Sequence, residues 1–110
     1  MNIQIFGTNK CFDTKKAQRF FKERGIKFQF VDLADKGISK GELENVAKAV
    51  GGVDTLINTA HKDYAMIAYL LPEARKEKLL ENPKLLKTPI VRNGKQATVG
   101  YCPEVWKEWE

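Results

Sequence analysis

The chain predicts an α/β fold, a mixed four-stranded sheet with helices on both faces. Three observations predict it. Residues 3–33 read strand, helix, strand, a βαβ unit whose strands run parallel through a right-handed crossover. Residues 89–109 read strand, tight turn, strand, helix. Residues 39–82 between them carry helical patterns only, so the order is βαβ, helical insert, ββα.

Ile3, Ile5 and Phe6 make the first strand, which stops at Gly7. Thr8-Asn9-Lys10-Cys11-Phe12 is a polar turn. A helix is expected over about 13–24, with Ala17, Phe20 and Phe21 on its apolar face and Gly25 as its stop. The second strand is expected over 26–33, alternating around Phe28 and Phe30. Ser39-Lys40-Gly41-Glu42 is a capping box that opens a helix ending before Gly51-Gly52. Short helical pieces, interrupted by Pro72, fill 54–75. A helix over about 73–81 ends at Asn82-Pro83. The apolar residues Tyr64, Met66, Ile67, Tyr69, Leu70 and Leu71 are expected to pack the insert against the sheet edge. Strands at 89–92 and 96–99 flank Asn93-Gly94, a hairpin signal because both residues tolerate positive φ. Pro103 and Glu104 suit the start of a last helix carrying Val105, Trp106 and Trp109. This order of elements is the thioredoxin-like arrangement, spread over one domain, 1–110, with its insert at about 39–82.

Composition narrows the function classes. Two cysteines, Cys11 and Cys102, are too few for a disulfide scaffold, and their spacing fits no zinc site. The one histidine, His61, has no neighbouring ligand residue, so no metal is expected; it could hydrogen-bond a thiolate or substrate, but a surface residue of the insert is the favoured reading. Nineteen Lys and Arg against 14 Asp and Glu give a net charge of +5. The basic residues are dispersed, which reads as a solvated surface rather than a nucleic-acid footprint. No charged-then-apolar leader opens the chain and no apolar run approaches the ~18 residues of a membrane span, so a cytoplasmic monomer with reduced thiols is expected.

The chemistry points to Cys11. A thiol after a strand and at the start of a helix meets unpaired backbone N–H groups and the positive end of the helix dipole, and both favour the nucleophilic thiolate. Lys10 and Lys15 add positive charge. An inert buried cysteine is the competing reading. Position 14 is threonine, so Cys11 has no Cys-x-x-Cys partner. A disulfide would need Cys102, another protein or a small thiol.

The motifs resemble those of the arsenate reductase (ArsC)/Spx family over essentially the whole chain. They are Ile5-Phe6-Gly7-Thr8-Asn9-Lys10-Cys11 with Lys15 and Ala17; Gly25-Ile26-Lys27-Phe28-Gln29-Phe30-Val31-Asp32; Thr55-Leu56-Ile57-Asn58-Thr59; Pro83-Lys84-Leu85-Leu86-Lys87-Thr88-Pro89-Ile90-Val91; and Val99-Gly100-Tyr101-Cys102-Pro103-Glu104-Val105. The resemblance implies a thioredoxin-like fold, Cys11 as nucleophile, and a cis peptide before Pro89 in a loop facing it. A plain strand-edge proline is the alternative there. It also implies no bound cofactor, but a thiol reductant (glutathione, glutaredoxin or thioredoxin) as co-substrate. The expected substrate- or anion-binding set is Thr8, Asn9, Lys10, Lys15, Asn58, Thr88, Pro89 and Arg92, with Lys62 read as solvated.

Three departures bear on activity. Arsenate reductases of this family resemble one another in three arginines around the cysteine, which fall here at Asn58, Thr88 and Cys102. A multiply charged oxyanion needs several fixed donors, so their loss argues against arsenate reduction. Cys102 then reads either as a resolving thiol for Cys11 or as a small residue at a helix start. The expected function is a thiol oxidoreductase acting on a small-molecule or protein disulfide. The alternative is a Spx-like regulator that binds RNA polymerase, against which the missing second cysteine of Cys-x-x-Cys counts.

Overall fold

The computed structural model describes residues 2–109; Met1 and Glu110, the ends of the expected 1–110 domain, lie outside the described residues. Strands β1 (Ile3–Gly7), β2 (Phe28–Asp32), β3 (Ile90–Asn93) and β4 (Gln96–Val99) form one sheet in the order β2-β1-β3-β4. β1 pairs β2 in parallel and β3 antiparallel, and β3 pairs β4 antiparallel. Helices α1 (Phe12–Glu23) and α4 (Pro103–Glu108) pack on one face, and α2 (Lys40–Val50) and α3 (Pro72–Glu81) belong to the other.

Alternation along the strands divides the core in two. Ile3, Ile5 and Val91 join Ala17, Phe20, Phe21 and Trp106 on the α1/α4 face. Phe6, Val31 and Ile90 join Leu43, Val46, Leu56 and Leu79 on the insert face. Trp106 is the largest fully buried side chain. Its ring lies 5.3 Å from those of Phe20 and Phe21, and its Nε1–H donates to Thr98 Oγ1 at 2.8 Å. One residue thereby ties α4 to both α1 and β4.

Several boundaries differ from expectation, each for a local reason. α1 begins at Phe12 because Cys11, not a later residue, is its N-cap. β2 begins two residues late because Ile26 belongs to the end of α1: its N–H donates to Phe21 O at 2.9 Å while Gly25, at φ +68, donates to Lys22 O at 3.1 Å. This is the Schellman pattern, with glycine in the left-handed position. Pro72 does not interrupt a helix but heads α3, where its missing N–H removes no bond. The hairpin turn is Gly94-Lys95, since Asn93 pairs Gln96; only Gly94 has positive φ, as in a type II′ turn. The capping box forms as read, with Glu42 N–H donating to Ser39 Oγ at 3.2 Å and Ser39 N–H to Glu42 Oε1 at 3.0 Å.

The insert runs further than 82. A 3₁₀ turn at Pro83–Leu85 leads into a bridge between Ile57 and Leu86, flanked by Asn58 N–H to Leu85 O and Lys87 N–H to Leu56 O, both 2.7 Å. Its apolar run packs less than expected. Ile67 is buried and Tyr64 and Leu70 pack against the core, but Met66, in a short 3₁₀ turn (Tyr64–Met66), Tyr69, and Leu71, the N-cap of α3, are exposed.

Gly7 marks the closest approach of sheet and helix. A Cβ there would meet Thr14 Oγ1 and lie 2.6 Å from Thr14 Cγ2. Gly7→Ala should therefore cost about 1–3 kcal/mol of stability through overpacking. Gly41→Ala, within α2 and with open space around it, should add about 0.5–1 kcal/mol through helix propensity. Urea unfolding of the two variants against the parent reads both signs.

Candidate active site

β1 delivers the chain to the site and stops at Gly7. The turn closes with Cys11 N–H donating to Thr8 O at 3.2 Å, and α1 then starts. Cys11 has extended backbone angles (φ −89°, ψ 119°) at the N-cap, and its carbonyl accepts Lys15 N–H at 3.2 Å. The thiol thus stands where a capping side chain would, at the free N–H end of a twelve-residue helix.

Opposite lies Thr88, joined to Pro89 by a cis peptide. The Cys11 thiol donates to the Thr88 carbonyl at 3.6 Å. The Ile57–Leu86 bridge brings Asn58 alongside. Asn58 Oδ1 accepts Ala60 N–H at 3.1 Å, so its amide NH₂ remains as a donor. These residues lie between two hollows. One, of about 530 Å³, is lined by Cys11, Asp13, Thr55 and Lys87. The other, of about 500 Å³, is lined by Thr8, Asn9, Lys10, Asp32, His61 and Lys84. Asn58 and Thr88 border both.

The two thiols differ in acidity. Burial pushes the Cys11 thiol up, but the Thr14 and Thr88 hydroxyls and the Thr14 and Asp13 N–H groups, which favour the thiolate, outweigh it, so Cys11 lies below the ordinary thiol value. Cys102 is the N-cap of α4 and packs against the α1/α4 core. Burial raises it, the Thr98 hydroxyl opposes, and the nearby Glu104 carboxylate raises it further, leaving it above the ordinary value.

Thr8, Asn9, Lys10, Asn58, Thr88 and Pro89 are thus grouped around Cys11. Lys15 lies on the flank of α1, its Nζ 6.0 Å from the Phe12 ring, in a separate basic hollow with Arg19, Lys22 and Lys27. Arg92 is a correction to the expected set. It pairs in register with Gln4, bonds Gln4 Oε1 at 3.0 Å and Gly94 O at 3.3 Å, and so sits at the hairpin end of the sheet rather than at Gly7. Cys102 turns its sulfur to Val99 O at 3.4 Å, and both thiols are free. Among the described residues no cluster of three or more His, Cys, Asp or Glu could hold a metal. No helix there is long and apolar enough to cross a membrane.

Thr14 is absent from the expected set, and for His61 the surface reading does not hold. His61 is half-buried rather than on the surface, and its Nδ1 accepts Asp63 N–H at 3.0 Å, leaving Nε2 as the donor nitrogen toward the second hollow. Only its contact across the fold marks it. Thr14 had a sequence signal, a hydroxyl three residues after an N-cap thiol.

A helix-capping thiol facing a cis-proline loop on this sheet defines a thioredoxin-like thiol protein. The chain belongs to the ArsC family, whose model matches residues 6–109. It is 33% identical to the global transcriptional regulator Spx 2 of Oceanobacillus iheyensis, over 92% of this chain and 78% of the relative. It is 23% identical to YusI of Bacillus subtilis, over 98% of each. An arsenate reductase from Vibrio cholerae has the same fold, with a TM-score of 0.87, 24% identity, and coverage of 98% of this chain and 97% of that one. NrdH-redoxin from Escherichia coli shares the fold at a TM-score of 0.54 and 16% identity, over 100% of this chain and 96% of that one.

The opposite shifts of the two thiols predict their order of reaction. With limiting iodoacetamide at pH 7.5, peptide mass spectrometry should find Cys11 modified well before Cys102. The Cys11 pH–rate midpoint should fall below the free-thiol value of about 8.5. Equal rates at the two sites would contradict the assignment.

Proposed function

We propose that the chain is a thiol oxidoreductase in which the Cys11 thiolate attacks a disulfide. The carrying observation is a thiol below its ordinary pKa at a helix N-cap, open to a hollow bordered by uncharged donors, Asn58 and Thr88. Cys11 S⁻ attacks one sulfur of RS–SR′. A Cys11–S–S–R bond forms, the S–S bond of the substrate breaks, and R′S⁻ leaves with the electron pair. An external thiolate R″S⁻, from glutathione, glutaredoxin or thioredoxin, then attacks the R sulfur, so that R–S–S–R″ forms and Cys11 S⁻ leaves; or Cys102 attacks the Cys11 sulfur, closing a Cys11–Cys102 disulfide as RS⁻ leaves, and an external dithiol reduces it. The hollow at Cys11 has Lys87 but no arginine among its lining residues, which supports disulfide over arsenate as substrate. Reduction of a glutathione mixed disulfide should be lost in Cys11→Ser, and arsenate should not be turned over. Arsenate-dependent thiol consumption abolished by Cys11→Ser would overturn this reading.

For Cys102 the proposed role is resolving. Mildly oxidised protein, alkylated without reduction, should carry a Cys11–Cys102 disulfide; two freely alkylated thiols would remove Cys102 from the cycle.

A second reading is favoured by the 33% identity to Spx 2: a regulator that binds RNA polymerase. Exposed Met66, Tyr69 and Leu71 supply apolar contact area on the insert for such a partner. Retention of purified RNA polymerase on the immobilised protein, lost in Tyr69→Ser/Leu71→Ser and unaffected by Cys11→Ser, supports the regulator. Turnover without retention supports the enzyme.

A further inference from the structure

Thr14 is fully buried, and its Oγ1 has no hydrogen-bond partner. Native structures rarely leave a buried hydroxyl unpaired, because it has given up water for nothing. A threonine in a helix usually bonds the carbonyl four residues back, and Thr14 does not. Its side chain is held in place, since the absent side chain of Gly7 leaves just enough room for it. Thr14 is three residues into α1 from Cys11, so the hydroxyl lies at the same helix end as the thiol. In the thiol form Cys11 donates its own proton to the Thr88 carbonyl, and a thiol sulfur is a poor acceptor.

We propose that Thr14 is a positioning residue whose hydroxyl is reserved for the Cys11 thiolate: when the Sγ proton leaves to solvent through the open hollow, the Thr14 O–H donates to the sulfur. One bond replaces another. The Sγ–H···O bond to Thr88 is lost, and an Oγ1–H···S⁻ bond to Thr14 forms. The hydroxyl is orphaned only in the resting thiol, so deprotonation satisfies it and fixes the sulfur at the helix end. Burial raises the thiol value, and among the contacts that lower it the Thr14 hydroxyl stands first. The charged groups around the sulfur are Asp13 from α1, Lys10 from the turn and Lys87 from the segment before Pro89, and a change at Thr14 alters none of them.

The proposal rests on Cys11 being the reactive thiol, but iodoacetamide tests it without any substrate. In pH–rate profiles read at the Cys11 peptide, Thr14→Val should raise the midpoint and slow alkylation at pH 7 about three- to tenfold. It should also raise the plateau rate above the midpoint, because a thiolate released from a hydrogen bond is the better nucleophile. Thr14→Ser should restore both. A packing role alone would not move midpoint and plateau in opposite senses for the pH 7 rate. A Thr14→Val profile that overlays the parent overturns the proposal, while a parent midpoint at the ordinary thiol value overturns the reading of Cys11 itself. Should Thr14→Val not fold, the parent still decides. The Thr14 hydroxyl proton in NMR should become protected from exchange with the same midpoint as the Cys11 titration, and a signal unchanged through that titration overturns the proposal.

Discussion

The first turn of α1 rests on the end of β1 through the Thr14 side chain, which fills the space that a side chain at position 7 would take. Gly7 makes that contact, and the rest of the site depends on it. The contact sets how close the helix comes to the strand, and so where its N-terminal N–H groups point. Cys11 stands at that end as N-cap, while Phe20 and Phe21, further along the same helix, meet Trp106. The hydrophobic core on this face therefore holds the helix that carries Cys11 in place.

The other half of the site comes from the opposite layer. The insert is tied back by the Ile57–Leu86 bridge and its two flanking 2.7 Å hydrogen bonds, and this pairing carries Asn58 to Thr88. Strand β3 then begins beside the thiol. Three distant stretches of chain thus converge where β1 ends. Asn58 and Thr88 give that place amide and hydroxyl donors.

Local signals were legible in the sequence, and distant ones were not. The capping box at Ser39, the stop at Gly25, the proline opening α4 and the βαβ order each follow from a few adjacent residues. Cys11 was legible because its chemistry is local: a strand end, a turn and a helix start. Arg92 was misplaced because nearness to Pro89 in sequence hides strand direction, and its register with Gln4 carries it to the far end of the sheet. Asn58 was found through a family motif, and its closeness to Thr88 depends on a bridge that no local pattern announces. Met66, Tyr69 and Leu71 look like core by composition, yet they fall in a short 3₁₀ turn, a turn segment and a helix N-cap, with no continuous helical face to bury them together. Thr14 first counted only as an absent cysteine, since burial without a partner is visible only in three dimensions.

Both cysteines cap helices, yet the two helices treat them differently. In the first turn of α4, Glu104 already answers the positive helix end, and the same carboxylate opposes a second negative charge on Cys102. At α1 the N–H groups of Asp13 and Thr14 favour a negative charge on the Cys11 sulfur. The two thiols thus lie on opposite sides of the ordinary value. The difference between them is set first by the burial of Cys102, with Glu104 adding to it, as well as by the surroundings of Cys11.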